Sequence, residues 1–227
     1  LNEEYINEAF DGIEQQLIEE TVIENPDNSE YGTEGGNDTK DKIFLLSLEE
    51  VEEYFLDEDS RVAEYFGDTE GCWWWLRSPG DYGDDAADVL SDGSVSYHGN
   101  SVSYNIGAVR PAFNLNLSNL SNLELKPNLI GTNRKQRDVK EELSQIQNAA
   151  AGDEVEYGSY LGNTAWKVLK KENGKALLLA KDAIRALYGD AFLKKLIKKS
   201  NLPKGEYERK GFAYALSKNF VVWYAKK

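Results

Sequence analysis

The chain has 227 residues, of which 41% are hydrophobic and 11% aromatic, enough for one large domain or two small ones with a buried core. A single cysteine, Cys72, excludes a disulfide framework, a cysteine-based zinc site and a two-cysteine oxygen-activating site. A single histidine, His98, excludes any catalytic or metal site that needs two histidines. The mean hydropathy of -0.59 and the lack of a long apolar run exclude a transmembrane helix.

The net charge of -14 is unevenly distributed. Residues 1–100 hold 28 acidic and 4 basic side chains, so this part repels phosphate and does not fit a nucleic-acid binder. Residues 101–227 are basic, and their lysines predict a solvated helix face, a face that docks on the acidic half, or a nucleic-acid or membrane patch. The chain begins at Leu1 and contains no methionine, so we expect a fragment or a processed product.

The first 66 residues predict short helices and strands. Apolar residues recur every fourth position from Leu1 to Leu17, which indicates a helix over residues 1–20 that Gly12 divides into two. The loop at 25–38 is rich in turn formers and too polar to bury. The remaining elements are a strand at 21–24, a buried strand at 43–46, a helix to Phe55 opened by a capping box at Ser47 and Glu50, and a helix at 60–66.

From residue 72 the pattern changes to short alternating segments separated by tight turns, which is typical of an antiparallel meander. The predicted strands lie at 73–77, 86–90, 94–98, 101–105 and 108–115, with turns at 92–93 and 99–100. The rest of the chain predicts a linker at 114–133, a polar helix at 134–150, strands at 152–160, 165–170 and 176–180 with a hairpin turn at 173–174, a basic amphipathic helix at 182–200 and a strand at 220–224.

Three segments carry a resemblance to a known family. They are Cys72–Gly80 (C-W-W-W-L-R-S-P-G), Asp92–Val95 (D-G-S-V) and Gly107–Phe113 (G-A-V-R-P-A-F). Together they resemble the end of a bacterial domain of unknown function that is common in gut Firmicutes, and residues 25–28 and 42–47 resemble its middle. Residues 152–183 resemble its beginning. The resemblance covers residues 1–117 and 152–183.

The order of these segments is reversed relative to that family. Residues 152–183, which resemble the beginning of the family's domain, follow residues 72–113, which resemble its end. A fragment of a tandem array, a natural permutation and a deliberately cut chain would each explain it. We divide the chain into 1–117, the C-terminal portion of the domain with a ligand face; 118–150, a linker and polar helix; and 151–227, an N-terminal-like strand, hairpin and helix portion that packs on residues 1–117.

The resemblance implies an α+β, C-type-lectin-like mixed fold with short antiparallel strands and flanking helices, permuted in order. The same motif is similar to that of the formylglycine-generating-enzyme-like superfamily, including the variable proteins of diversity-generating retroelements. In such proteins a small mixed sheet supports an irregular, solvent-facing ligand surface. This expectation rests on analogy of motif alone.

The segment 81–105 is the candidate ligand surface, because tyrosine gives rigid contact area while serine and asparagine give adaptable hydrogen bonds. The same side chains would also suit the polar outer face of an antiparallel sheet. The candidate binding residues are Asp81, Tyr82, Asp84, Asp85, Asp88, Ser91, Ser94, Ser96, Tyr97, His98, Asn100, Ser101, Ser103, Tyr104 and Asn105.

Other notable residues favour structural roles. The tryptophans at 73–75 suit a core more than a carbohydrate platform, since alternate strand residues face opposite sides. Arg77 and Arg110 suit pairing with buried carboxylates or carbonyls. Calcium binding by the aspartates at 81–92 lacks a ligand spacing to support it, and Cys72 suits a buried thiol.

The sequence therefore predicts a non-catalytic, lectin-like binding module for a protein or glycan on a cell or phage surface, and it fits a retroelement-diversified variable protein. The alternative is a structural or interaction domain of a larger bacterial surface protein, and an enzyme of formylglycine-generating-like fold is a weaker third. We expect no catalytic residues, no metal, no cofactor, no nucleic-acid partner and no membrane insertion. We expect an extracellular or cell-surface location.

Overall fold

The computed structural model describes residues 1–2, 4–65, 71–104, 107–118, 139–160 and 163–185. The described chain forms two compact units, each built from several stretches of sequence. The first unit comprises Leu1–Glu24, Asn37–Leu46 and Arg110–Asp182, and the second comprises Asn25–Gly36, Ser47–Val109 and the chain from Ala183 onward. Helices and largely antiparallel strands occur together, which gives an α+β fold.

The first unit contains a four-stranded antiparallel sheet in the order β10-β11-β12-β9 and a two-stranded ribbon, β1-β2. Helix α2 begins at an Asp11 cap that forms a capping box with Glu14, so the chain is helical on both sides of residues 10–11. The elements are α1 (Glu4–Ala9), α2 (Gly12–Leu17), β1 (Thr21–Ile23), β2 (Thr39–Asp41), β9 (Ala112–Asn116), α5 (Val139–Asn148), β10 (Glu154–Tyr160), β11 (Asn163–Glu172) and β12 (Lys175–Ala180).

An aromatic cluster forms the centre of the first unit. Phe10 lies 5.2 Å from Phe113 and 5.7 Å from Tyr157, centroid to centroid, and Phe113 lies 4.6 Å from Trp166 in an edge-to-face arrangement. Aromatic pairs at these separations add to the free energy gained from burying their surface. The four rings come from residues before 118 and after 151, so both segments contribute to one core.

Pairing of β9 with β12 joins these two segments in the sheet. Five residue pairs run from Lys175 opposite Asn116 to Leu179 opposite Ala112. Arg110, just before β9, adds to this connection. Its guanidinium donates to the carbonyl oxygens of Ala180 and Lys181 at 3.1 and 3.2 Å, as expected for a structural arginine.

The second unit contains a five-stranded sheet in the order β13-β8-β5-β6-β7 and a two-stranded ribbon, β3-β4. Within the sheet, β5 and β8 are parallel and the other neighbours are antiparallel. The elements are α3 (Leu48–Tyr54), α4 (Glu58–Arg61), β3 (Ala63–Glu64), β4 (Gly71–Cys72), β5 (Trp74–Pro79), β6 (Asp85–Val89), β7 (Val95–Ser101), β8 (Ala108–Val109) and β13 (Ile184–Arg185).

Two local predictions are confirmed by their geometry. Ser47 and Glu50 form the reciprocal capping box of α3, which ends at a cap on Phe55. Asn173 and Gly174 both have positive φ, at 50° and 73°, and connect β11 to β12 in a tight hairpin.

Five predictions about elements are wrong. Residues 43–46 are largely buried but form only a single bridge, at Phe44, and the helix at 60–66 is replaced by α4 followed by β3. The predicted turn at 99–100 lies inside β7, which ends at Ser101, and residues 102–103 turn instead of continuing a strand to 105. The strand at 108–115 is divided into β8 and β9, which belong to different sheets.

Several predictions fall partly outside the described residues. The polar helix at 134–150 is present as α5 over its described part. The basic helix at 182–200 cannot begin at its predicted start, because Ile184 and Arg185 form β13, and residues 186–227 are not described. Among the described residues, no helix is long and apolar enough to cross a membrane.

Candidate functional site

Two turns meet at one end of the sheet in the second unit. The turn between β5 and β6 is closed by a hydrogen bond from the Asp85 amide to the Tyr82 carbonyl oxygen at 3.0 Å. A second turn follows β7, and the Val102 amide donates to the carbonyl oxygen of Asp84 at 3.0 Å. We call this surface, residues 81–85, 98 and 101–104 with the loop residues 28–33 described next, the Asp81 end of the sheet.

Asn28 holds the loop at 25–36 against this end. Its side-chain amide donates to the carbonyl oxygens of Pro79 at 2.8 Å and Tyr97 at 2.9 Å, and its side-chain oxygen accepts from the amides of Glu30 and Tyr31. Asn28 is only 1% exposed, so the expectation that this loop is too polar to bury is wrong at this position. The burial is tolerated because both polar groups of the side chain are satisfied.

The loop adds residues to the surface that the sequence did not single out. The Tyr31 ring lies 6.3 Å from the His98 ring, edge to face, and the Thr33 hydroxyl donates to the Asp81 carbonyl oxygen at 2.9 Å. The turn-forming Asn-Pro-Asp-Asn sequence was the available signal, but it indicates a turn and not where that turn is fastened.

Large aromatic side chains at the Asp81 end are exposed. Tyr31 is 46% exposed, Tyr82 66% and Tyr104 54%, and the His98 side chain is 65% exposed. Their backbones are hydrogen-bonded within the sheet and its turns. Aromatic area is therefore presented to solvent on a backbone that is already ordered.

The Asp81 and His98 side chains are in contact, with 2.8 Å between Oδ2 and Nδ1. The Asp81 amide also donates to the carbonyl oxygen of His98 at 3.0 Å, so the two residues are fixed by backbone and side chain together. Neighbouring Asp85 is half-buried, and burial followed by its proximity to Asp81 raises its pKa. The arrangement orients the imidazole while its other edge faces outward.

Asp88 lies in the middle of β6 and is completely buried. Its Oδ2 accepts a hydrogen bond from the Asn100 side chain at 2.6 Å, and its Oδ1 has no hydrogen-bond partner in the described part of the chain. Burial raises its pKa to about 6, partly offset by Asn100 and His98. Asp88 and Asn100 are therefore internal partners, although both were predicted as binding residues.

Two glycines permit close approaches between backbone segments in this sheet. A Cβ on Gly80 would stand 2.4 Å from the carbonyl oxygen of His98, so only glycine allows the chain just after β5 to approach β7 here. Gly99 has φ of +71°, and a Cβ there would stand 2.1 Å from the carbonyl oxygen of Ala86. The irregular pairing between β6 and β7 at this point is a bulge that glycine makes possible.

The structure brings part of the predicted surface together and separates the rest. Asp81, Tyr82, Asp84, Asp85, His98, Ser101, Ser103 and Tyr104 lie at the Asp81 end, where the hydroxyls of Ser101 and Ser103 are 3.0 Å apart. Ser91 and Ser94 lie at the opposite end of the β6–β7 hairpin, where the Leu90 amide donates to the Ser94 carbonyl oxygen. Ser96 lies mid-strand opposite Asp88, and Asn105 falls outside the described residues.

Tyr97 faces a different neighbour. Its hydroxyl donates to the Glu52 carboxylate on α3 in a short hydrogen bond. Burial, and after it the carboxylate of Glu52, raises the pKa of Tyr97 to about 12. Tyr97 is therefore partly engaged within the unit instead of being fully presented to solvent.

The tryptophans divide as alternation in a strand requires. Trp74 is fully buried, whereas Trp73 and Trp75 are half-buried. The rings of Trp73 and Trp75 pack edge to face, with centroids 4.7 Å apart, and both lie against Gly107. Arg77 is buried and pairs with Glu50, which also caps α3, as expected for a structural arginine.

The Cys72 thiol is buried and is not part of a disulfide. Among the described residues, no group of three or more histidine, cysteine, aspartate or glutamate side chains could hold a metal ion.

The first half of the chain matches a known protein family. The model of the domain of unknown function DUF6273 matches residues 1–117, just over half of the chain. The chain belongs to this family. No curated protein and no solved structure matches it.

The DUF6273 match confirms that residues 1–117 belong to a domain of unknown function, and it includes every residue of the Asp81 end. The match stops at the end of β9. The strands β10, β11 and β12, which complete the sheet of the first unit beside β9, lie beyond it. The candidate surface is thus carried by the DUF6273 portion of the chain.

Proposed function

We propose that this protein is a non-catalytic ligand-binding module that presents the Asp81 end of its sheet to a protein or glycan. The observation that carries the proposal is the exposure of Tyr31, Tyr82, Tyr104 and His98 on a backbone fixed by hydrogen bonds. Exposed aromatic rings on an ordered backbone are costly to leave in water and are enriched where proteins bind partners.

Preorganisation supports the proposal physically. Binding loses free energy when loops and side chains must be ordered, and a surface that is ordered beforehand avoids part of that cost. Asn28 orders the loop that carries Tyr31, and Asp81 orders His98. Tyrosine adds contact area with few rotatable bonds, and the nearby serines add adaptable hydrogen bonds.

The proposal is tested with a variant in which Tyr31, Tyr82, His98 and Tyr104 are all changed to alanine. The chain is screened against a glycan array and an array of bacterial and phage surface proteins, and the variant is then measured on any ligand found. We expect at least a tenfold loss of affinity with little change in melting temperature, because all four side chains are exposed.

The matched control changes two exposed apolar residues elsewhere, Val22→Ala and Leu56→Ala, which are 57% and 98% exposed. The control should bind as the parent does. A ligand that binds the four-residue variant with unchanged affinity would show that its binding surface lies elsewhere, and failure of both arrays to give a ligand would count against a binding module.

The finer proposal is a C-type-lectin-like fold in a retroelement-diversified variable protein at a bacterial surface. The resemblance of the motifs at 72–80 and 107–113 supports it, as does the adaptable composition of residues 81–104. Sequencing the locus and its flanks in clonal isolates tests it. Substitutions clustered at exposed positions and a neighbouring reverse transcriptase are expected, and an invariant segment without that gene overturns it. Labelling of intact cells with an antibody tests the extracellular location.

One observation favours a second candidate, a structural or interaction domain of a larger surface protein. Tyr97, Asn100 and Asp88 use their polar groups within the unit, so the middle of β7 resembles a supporting sheet more than a contact surface. This candidate predicts that alanine at the four exposed residues removes no function of the parent protein.

A further inference from the structure

The described residues of the second unit carry a large excess of acidic side chains. They include sixteen aspartates and glutamates, three arginines and no lysine. Of the arginines, Arg77 is buried against Glu50, and Arg61 extends to the carbonyl oxygen of Gly93 beyond the far end of β6. Glu30, Glu52 and Asp84 are exposed carboxylates of this unit.

Several of these carboxylates border the exposed aromatic rings. Glu30 precedes Tyr31 in the loop, and Asp81 contacts the His98 side chain, whose ring lies 6.3 Å from the Tyr31 ring. Burial and, after it, Glu30 and Asp81 raise the pKa of Tyr31. Glu52 binds the Tyr97 hydroxyl, and Glu49 and Glu30 also contribute to the raised pKa of Tyr97. The loop, through Glu30, and α3, through Glu52, therefore both place carboxylates beside tyrosines of this unit.

Asp84 adds a further carboxylate, in the β5–β6 turn. It is exposed in the turn that also presents Tyr82, and its carbonyl oxygen fixes the turn containing Ser103 and Tyr104. The exposed rings are therefore flanked by carboxylates from the loop, from α3 and from the β5–β6 turn. A surface of this kind combines aromatic ring faces with negative charge.

We propose that the partner of this surface is a protein or peptide segment carrying lysine or arginine side chains. The inference rests on the proposed binding function and specifies its ligand class. A cation over a tyrosine face is attracted by the ring and gains further from carboxylates beside it. Negative potential over the same area increases the association rate of a cationic partner and disfavours an anionic one.

The probe is a labelled twelve-residue peptide of alternating lysine, glycine and serine, compared with the same peptide acetylated on every lysine. Binding to the full chain is measured by fluorescence anisotropy at low and at physiological salt. We expect the lysine peptide to bind at least tenfold more tightly than its acetylated form, with affinity that falls as salt rises.

Two charge-matched variants locate the binding. Glu30→Gln and Asp84→Asn at the Asp81 end, together with Glu52→Gln beside it on α3, remove three exposed carboxylates, and Glu8→Gln, Glu20→Gln and Glu24→Gln remove three exposed ones from the first unit. We expect the first variant to lose at least fivefold in affinity and the second to lose less than twofold. Tyr31→Ala with Tyr82→Ala should weaken binding without changing the net charge.

The outcomes separate this inference from the proposed function. Equal losses in the two charge variants, or no effect of the tyrosine changes, would mean unspecific attraction to an acidic chain and overturn the inference. If an uncharged glycan or protein binds through the four exposed residues while the lysine peptide does not, the binding function stands and the cationic ligand class is wrong.

Discussion

The hydroxyl of Tyr157 on β10 donates a 2.9 Å hydrogen bond to the backbone carbonyl oxygen of Glu14 on α2. Both groups are buried, and the residues are 143 positions apart in sequence. The bond joins the start of the chain to the segment that follows the DUF6273 match. The first unit is therefore built from both segments, and this buried bond depends on their packing together.

Changing Tyr157 to phenylalanine should destabilise the first unit by about 1–2 kcal/mol, because the Glu14 carbonyl oxygen loses its partner in the core while ring packing is kept. Denaturant unfolding of the whole chain measures the loss. Tyr82→Phe is the control, since its ring is 66% exposed, and it should change stability by less than about 0.5 kcal/mol. Equal stability of the two variants would contradict the role assigned to the bond.

Gly99→Ala should destabilise the second unit by about 2–4 kcal/mol, because the residue has φ of +71° and its new Cβ would overlap the Ala86 carbonyl oxygen. Gly83→Ala is the matched control, since a Cβ there meets nothing within 4 Å. Thermal unfolding of both variants measures the contrast. A Gly99→Ala protein as stable as the control would mean that the bulge in β7 is not needed.

Asn28→Ala should destabilise the second unit by about 2–3 kcal/mol, because the carbonyl oxygens of Pro79 and Tyr97 lose a buried donor. The loop should also lose protection, which hydrogen exchange of the Glu30 and Tyr31 amides would show. Asn148→Ala at the exposed end of α5 is the control, since its amide bonds only within that helix. Unchanged exchange in the Asn28 variant would show that the loop is held by other contacts.

Local rules in the sequence predicted those elements whose geometry depends on neighbouring residues. Asn173-Gly174 predicts its hairpin because both residues tolerate positive φ, and Ser47 with Glu50 predicts a helix start because their reciprocal bonds are local. The same rule failed at Gly99, where positive φ serves a bulge inside β7 instead of a turn. A glycine's local sequence does not distinguish these uses, since the difference lies in the partner strand.

The candidate site was predicted only in outline for a similar reason. Composition singled out residues 81–105, and eight of the fifteen candidate residues among them lie together at the Asp81 end. Tyr31 was missed because its position depends on Asn28 reaching carbonyl oxygens about 50 and 70 residues away in sequence, a contact with no local signature. Asp88 and Asn100 were included because polar type does not reveal that the two side chains bond to each other within the sheet.

Asp88 should make the second unit less stable at neutral pH than in mild acid. Burial raises its pKa in the folded state to about 6, above the value of about 3.9 expected for an unfolded chain. The folded state therefore binds the proton more tightly, and this residue's contribution to stability falls as pH rises from about 4 to about 6 and stays low above that.

Asp88→Asn removes the buried charge while an amide oxygen can still accept from Asn100. We expect the variant to be more stable than the parent by about 1–2 kcal/mol near pH 7.5 and to show a clearly smaller gain near pH 4.5, just above the unfolded-state pKa at which the penalty begins. Denaturant unfolding at both pH values gives the comparison.

Asp92→Asn provides the opposite case, since hydrogen bonds from the Ser94 side chain and amide lower the pKa of Asp92. Its carboxylate favours folding above the unfolded-state pKa, and this contribution is lost as pH falls, so its removal should give no gain near pH 7.5. A gain from Asp92→Asn equal to that from Asp88→Asn would show that relief of general acidic repulsion, and not burial of one carboxylate, stabilises the variants. A loss of stability in Asp88→Asn at neutral pH would show that the charge of Asp88 itself holds the sheet together through Asn100 and His98.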